Sequence, residues 1–203
     1  MAPTVVVFDI GGVLVDWNPN HLYRKLIPSD AEREAFLRDI CSPAWNHQFD
    51  AGVSFTAGVD ALSAQHPDKA DLIAAYRDRW VEMLEGSFED TVRLLRRLQA
   101  AGVPLHAITN WSMETFPIAQ QRFDFLQGFD VLVVSGAENM AKPDPAIFRL
   151  FLERAGETAQ NCLFIDDNAA NIESASALGF HTHHFKQAAA LEADLLAYGL
   201  LKA

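Results

Sequence analysis

The sequence predicts an α/β fold: a Rossmann-like, doubly wound parallel sheet with an α-helical cap inserted after its first strand. Three observations carry this expectation. Val5-Val6-Val7-Phe8 is an unbroken β-branched and aromatic run, the pattern of a strand covered on both faces. From about residue 86 onward, short apolar strands alternate with amphipathic helices, as parallel crossovers require. Between these regions, from about His21 to Leu84, helical periodicity continues with few strand signals. At 203 residues the chain suits one medium domain, or a core with an insertion. The expected division is a core of 1–16 and 86–203 and a cap of 17–85.

Each element has a local reason. Val15 to Pro19 reads as an exit loop from the first strand. Ser29-Asp30-Ala31-Glu32 is a capping box, opening a helix that carries Phe36, Leu37 and Ile40. Pro43 and Gly52 bracket a short segment with Trp45, His47, Phe49 and Asp50. Phe55 to Gln65 predicts a helix ended before Pro67. Leu72, Tyr76, Trp80 and Leu84 recur at four-residue spacing and predict one amphipathic helix over Lys69–Leu84. Phe88 to Ala101 repeats such a stripe, and Gly102 ends it. Strands are expected at Val103–Ile108, Val131–Val134, Leu163–Ile165 and Phe180–Phe185. Helices are expected at Thr115–Phe123, Asp144–Ala155, Ala169–Leu178 and Ala188–Tyr198.

Composition narrows the function. The formal net charge of −11 argues against nucleic acid and against anionic membrane surfaces. Cys41 and Cys162 have no zinc-type spacing, and no disulfide framework is expected. No run approaches the roughly 18 apolar residues of a membrane span, and no secretion signal is expected. A reducing cytoplasm is the expected compartment. His181, His183 and His184 have no nearby Cys or carboxylate in sequence, so a strand end is expected there rather than a metal site.

The strand ends carry the chemistry. In an open α/β sheet, ligands bind at the carboxyl ends of the strands. Asp9 follows the first strand and is followed by Gly11-Gly12, where backbone can approach a ligand closely. Taken alone, this is also how an ordinary strand ends in an Asx turn. Thr109-Asn110, Lys142-Pro143-Asp144-Pro145 and Asp166-Asp167-Asn168 follow later strands in the same way. Two carboxylates about 4 Å apart repel by roughly 4 kcal/mol at an effective dielectric near 20, so a proton or a cation must relieve converging acids. Hard oxygen ligands suit Mg²⁺, and Lys142, Thr109 and Asn110 suit an oxyanion such as phosphate. Asp9 would then be free to attack phosphorus.

These four clusters, in this order, resemble the motifs of the haloacid dehalogenase-like hydrolase superfamily. The resemblance covers the whole chain, including a helical cap after the first motif. Phe-Asp-Ile-Gly-Gly-Val, followed by Lys-Pro-Asp-Pro and Phe-Ile-Asp-Asp-Asn, is most similar to the α-D-glucose-1-phosphate phosphatase-like branch. The resemblance implies a Mg²⁺-dependent phosphomonoester hydrolase working through an aspartyl-phosphate on a small phosphorylated metabolite. Asp9 would be nucleophile and metal ligand, and the Gly11 carbonyl a second ligand. Asp167 would bind the ion directly, and Asp166 through water or by orienting the site. Thr109 and Asn110 would hold the phosphoryl group, and Lys142 would pair with nucleophile and phosphate.

One position departs from the pattern. Many phosphatases of this superfamily carry a general acid two residues after the nucleophile, where this chain has Gly11. Such help is worth about 10²–10⁴-fold, so Gly11 by itself predicts a preference for activated leaving groups such as sugar 1-phosphates. Two other readings compete. A 2-haloacid dehalogenase would use Asp9 on carbon but leave Asp166 and Asp167 without a task. A catalytically weak phosphate-binding member has Gly11 as its only support. In capped phosphatases the region of Trp45, His47 and Asp50 faces the active site. The last two are therefore candidates for substrate contact. Trp111 could line the pocket or simply pack, whereas Trp17 and Trp80 are expected to pack.

Overall fold

A computed structural model describes residues 2–202. Strand β1 (Val5–Phe8) is followed by β2 (Val15–Trp17) and five helices: α1 (Pro19–Leu26), α2 (Asp30–Asp39), α3 (Pro43–Asp50), α4 (Phe55–Gln65) and α5 (Ala70–Asp78). The chain returns through β3 (Leu84–Ser87) to α6 (Glu89–Ala100), β4 (Leu105–Thr109), α7 (Phe116–Arg122), β5 (Val131–Val134) and α8 (Ser135–Glu138). It closes with α9 (Pro145–Ala155), β6 (Cys162–Asp166), α10 (Ala169–Ala177), β7 (His181–His184) and α11 (Ala188–Ala197).

The main sheet is parallel throughout, in the order β5-β4-β1-β6-β7. Every residue of β1 is buried, because helices cover both of its faces. Val6 and Phe8 join a core with Leu94, Leu95 and Leu98 of α6 and Leu191 and Leu195 of α11. Val5 and Val7 join the opposite core with Ile147, Phe148 and Phe151 of α9. This is why the run shows no polar alternation. The chain leaves β1 toward β4 and β5, then crosses back to β6 and β7. The loops after β1 and β6 therefore diverge and open a crevice, where such sheets bind ligands.

The segment between β2 and β3 is helical, and its packing is aromatic. Phe49 stacks on Phe55 with ring centroids 4.3 Å apart, and Trp45 meets Tyr76 edge-on at 4.9 Å. Ser29, Ser42 and Ser54 each cap a helix by accepting from a backbone N–H.

Two local expectations are corrected. Val15 to Pro19 is not an exit loop. Val15–Trp17 is β2 and pairs antiparallel with β3, with a bulge between Asp16 and Trp17. So short a strand has no readable period, and its partner Leu-Glu-Gly-Ser is no β-former. The helix expected over Lys69–Leu84 ends at Asp78, and a 3₁₀ turn carries Trp80–Met83. Trp80 and Leu84 stay buried, so the stripe tracked burial past the end of the helix. The short helix α8 went unpredicted, being too brief for a periodic pattern. The capping box opens α2 as expected, and Phe36 is buried.

Gly58 lies inside α4, where a Cβ would stand 2.3 Å from Phe49 Cε1 and 2.7 Å from its Cζ. Alanine gains about 1 kcal/mol of helix propensity over glycine, but overpacking costs about 1–3 kcal/mol. Because Phe49 is pinned against Phe55, Gly58→Ala is expected to destabilise the protein by about 1–2 kcal/mol. A lowered urea midpoint with unchanged m-value would show it; a raised midpoint would contradict it.

Candidate active site

The carboxyl ends of β1, β4 and β6 meet around one buried cation. Lys142, in the loop before α9, is 1% exposed. Its Nζ lies 3.0 Å from Asp9 Oδ1 and 2.7 Å from Asp166 Oδ2, and it donates to the Ile108 carbonyl at 2.8 Å. All three ammonium donors are thus directed. Asn110 fixes the backbone that carries Lys142: its Nδ2 donates to the Lys142 carbonyl and its Oδ1 accepts from the Lys142 N–H, both at 2.8 Å.

Asp166 is held on every side. It accepts from Lys142, from the Asn168 N–H at 2.8 Å and from Asn171 Nδ2 at 3.1 and 3.0 Å. Asp167 is more exposed. Oxygens of Asp9, Asp166 and Asp167 all lie within 4.8 Å of one another. Gly12 makes room for this: at its φ of +75° a Cβ would stand 2.5 Å from Asp167 Oδ2. Thr109 is fully buried, and its Oγ1 has no hydrogen-bond partner among the described residues. That is an unusual state for a buried hydroxyl and suits a ligand oxygen.

The charges do not balance. Three carboxylates face one ammonium. Burial pushes the Asp9 carboxyl up to about 8; Lys142 pulls it down, while Asp166 and Asp167 push it further up. Burial and Asp166 likewise raise Asp167. Burial lowers the Lys142 ammonium, but Asp9 and Asp166 outweigh that and hold its pKa above the usual lysine value. A divalent cation among these oxygens would relieve the excess, and hard carboxylate and carbonyl oxygens are the donor set for Mg²⁺.

A cavity of about 70 Å³ adjoins this centre. Gly11 and Asn110 line it from the sheet side, and Asn46 and Asp50 of α3 from the helical side. Trp17, Trp80 and Trp111 supply aromatic wall. Of the two polar candidates in α3, only Asp50 reaches the cavity; His47 is exposed and does not line it. Trp111 both lines the cavity and packs on Trp80, at 5.9 Å between ring centroids. Trp17 and Trp80, expected to pack only, reach the cavity because the β2–β3 ribbon brings both ends of the helical segment to the crevice. Trp17 Nε1 is buried without a partner among the described residues. No local sequence signal marks Asn46 or these tryptophans, since their convergence depends on that ribbon. The histidines near β7 form no metal cluster among the described residues. His183 Nδ1 lies 2.6 Å from Asp194 Oδ2, and His184 Nε2 lies 2.9 Å from the Asp167 carbonyl. No helix is long and apolar enough to cross a membrane among the described residues.

Known proteins share this organisation. The chain is 28% identical over 195 residues to acyl-CoA dehydrogenase family member 10 of Mus musculus, covering 87% of this chain but only 17% of that protein. It is 28% identical over 174 residues to the sesquiterpene phosphatase astK of Aspergillus oryzae, covering 85% of each. A shorter match, 33% over 93 residues, links 46% of this chain to 41% of a (S)-2-haloacid dehalogenase of Pseudomonas putida. A HAD family enzyme of Bacteroides thetaiotaomicron, solved as a magnesium complex, superposes with a TM-score of 0.69 at 20% identity, over 92% of this chain and 94% of that one. The family model described as haloacid dehalogenase-like hydrolase matches residues 3–179. With that match spanning four of the five strands of the main sheet, the helical segment and all four strand-end clusters, this chain belongs to the haloacid dehalogenase-like hydrolases.

Proposed function

We propose that the protein is a Mg²⁺-dependent phosphomonoester hydrolase that works through an aspartyl-phosphate on Asp9. Its substrate is a small phosphorylated metabolite, with sugar phosphates the favoured class. The observation that carries this is the charge imbalance at the crevice. Three carboxylate oxygens converge within 4.8 Å, with one lysine among them. Asp9, Asp167 and the Gly11 carbonyl would ligate the ion, and Asp166 would orient the set. Bound there, Mg²⁺ supplies charge neutralisation for an incoming phosphate dianion.

The chain's own groups do the rest. Lys142 holds Asp9 by one oxygen and keeps the attacking oxygen oriented. The unpartnered Thr109 hydroxyl donates to the phosphoryl group. Asn110 contributes through Lys142, because its side-chain amide is committed to that backbone. An Asp9 oxygen forms a bond to phosphorus as the ester oxygen leaves, and water then cleaves the acyl phosphate. The partnerless Trp17 indole N–H and the neighbouring tryptophan faces suit a substrate with hydroxyls on an apolar ring, which is why a sugar is favoured. The helices from α1 to α5 act as a cap, with the β2–β3 ribbon as its stalk. Closure excludes water during transfer.

The partial match to a dehalogenase makes haloacid dehalogenation the rival. That reaction calls for no cation, so it would leave the oxygens of Asp9, Asp166 and Asp167, within 4.8 Å of one another, unneutralised against a carboxylate substrate.

Phosphate release from p-nitrophenyl phosphate, measured with Mg²⁺ or with EDTA, tests the proposal against chloride release from 2-chloropropionate. Metal-dependent phosphate release and no chloride are expected. Asp9→Asn should abolish that release and leave the circular dichroism spectrum unchanged, since Lys142 keeps its bond to Asp166. Lys142→Ala should lower kcat by about 10²–10³, the worth of one preorganised charge. It should also destabilise the fold by about 3–5 kcal/mol, because Asp166 is left buried without its counter-ion. Full activity in either variant would refute the assignment.

A further inference from the structure

We propose that Asp50, on α3, is the general acid that protonates the leaving oxygen, in place of the carboxyl that Gly11 lacks. The proposal rests on the phosphatase reading above and names a catalytic group for it.

Two facts about the cavity support it. A Cβ on Gly11 would meet nothing within 4 Å, so the wall beside the nucleophile is open where a carboxyl could have stood. Across the same cavity, Asp50 is the only acidic or basic side chain among the described lining residues. The other polar groups there, on Asn46, Asn110, Trp17, Ser112 and Thr115, do not exchange protons near neutral pH.

Asp50 is also held for the task. Asn46 Nδ2 donates to its Oδ2 at 3.2 Å, and Asn46 Oδ1 in turn accepts from Tyr76 OH at 2.8 Å. The relay fixes one carboxyl oxygen and leaves Oδ1 without a protein partner among the described residues, so the proton belongs on Oδ1. Burial pushes this carboxyl up to about 7, and Lys142 pulls it down. Near neutral pH both forms are populated, as an acid that later serves as a base requires. Lys142 is the charged group that acts on it, and Asp50 in turn raises the Tyr76 phenol.

The step balances. As the Asp9 oxygen bonds to phosphorus and the P–O bond to the leaving group breaks, the Asp50 proton passes to the leaving oxygen and an alcohol departs. In the second half, Asp50 takes a proton from the water that attacks the acyl phosphate, which restores both carboxyls and releases phosphate. Because α3 belongs to the helical segment, the acid is in place only when that segment lies over the crevice.

The experiment compares p-nitrophenyl phosphate, whose leaving group needs no proton, with a simple alkyl phosphate. Asp50→Asn is expected to lower kcat/KM, which reports the transfer step alone, by about 10²–10⁴ on the alkyl phosphate and by less than about tenfold on p-nitrophenyl phosphate. In the unmodified protein, the ratio of alkyl to nitrophenyl kcat/KM should fall as pH rises through about 7, where Asp50 loses its proton. In Asp50→Asn that ratio should be flat. Adding Gly11→Asp to Asp50→Asn should restore part of the alkyl rate, since the open space at Gly11 admits a carboxyl. Equal losses of kcat/KM on both substrates would overturn the proposal, as would a pH-independent ratio in the unmodified protein even if Asp50→Asn misfolds. Absence of any metal-dependent p-nitrophenyl phosphate turnover in the unmodified protein would instead remove the phosphatase reading on which the proposal stands.

Discussion

A buried ammonium between two carboxylates is the constraint on which the rest of the structure depends. Lys142 is cut off from water and sits within 3.0 Å of both Asp9 and Asp166. Such a group survives burial only when each of its hydrogens is directed at an acceptor and its charge is answered. Meeting that requirement draws in β1 through Asp9, β4 through the Ile108 carbonyl and Asn110, and β6 through Asp166. Elements far apart in sequence are thereby locked into one register at the carboxyl edge of the sheet. A buried ion pair of this kind is weak evidence for stability. Its value is positional: it fixes how the carboxylates at the ends of β1 and β6 face one another.

The acids exceed what one lysine can answer, and the backbone is shaped to keep them close. Gly12 has a left-handed conformation and no side chain, so Asp167 can approach the loop after β1. Asn168 and Asn171, at the start of α10, hold Asp166 from behind. The asparagines and the glycine set the distances among the three carboxylates. Under the proposed function, a cation and an oxyanion entering together would answer the converging charges.

The helical segment adds what the sheet lacks. Its aromatic cluster of Trp45, Phe49, Phe55 and Tyr76 fixes α3 against α4 and α5. The N–H of Phe55 donates to Glu114 in the loop before α7 at 2.9 Å, and Gly52 packs against Asn139 below α8. These contacts place Asn46 and Asp50 across from Gly11. The chemistry proposed for Asp50 is therefore a product of how two parts of the chain are clamped together, with the rigid stack of rings setting the angle of α3.

By itself, the sequence determined the parallel sheet and which strand ends carry polar clusters. It did so because β1 and its neighbours are covered on both faces and their apolar runs stop at Asp9, Thr109 and Asp166. It also determined the boundaries of α4 and α9, where proline and capping residues act within one turn. Tertiary structure decided the rest. The β2–β3 ribbon, the short helix α8, the early end of α5 and the arrival of Trp17, Trp80, Asn46 and Asp50 at one cavity all depend on partners dozens of residues away. So does the commitment of the Asn110 amide to the Lys142 backbone. Local pattern records which face of an element is buried, but not what it is buried against, and a binding site is made of the second kind of information.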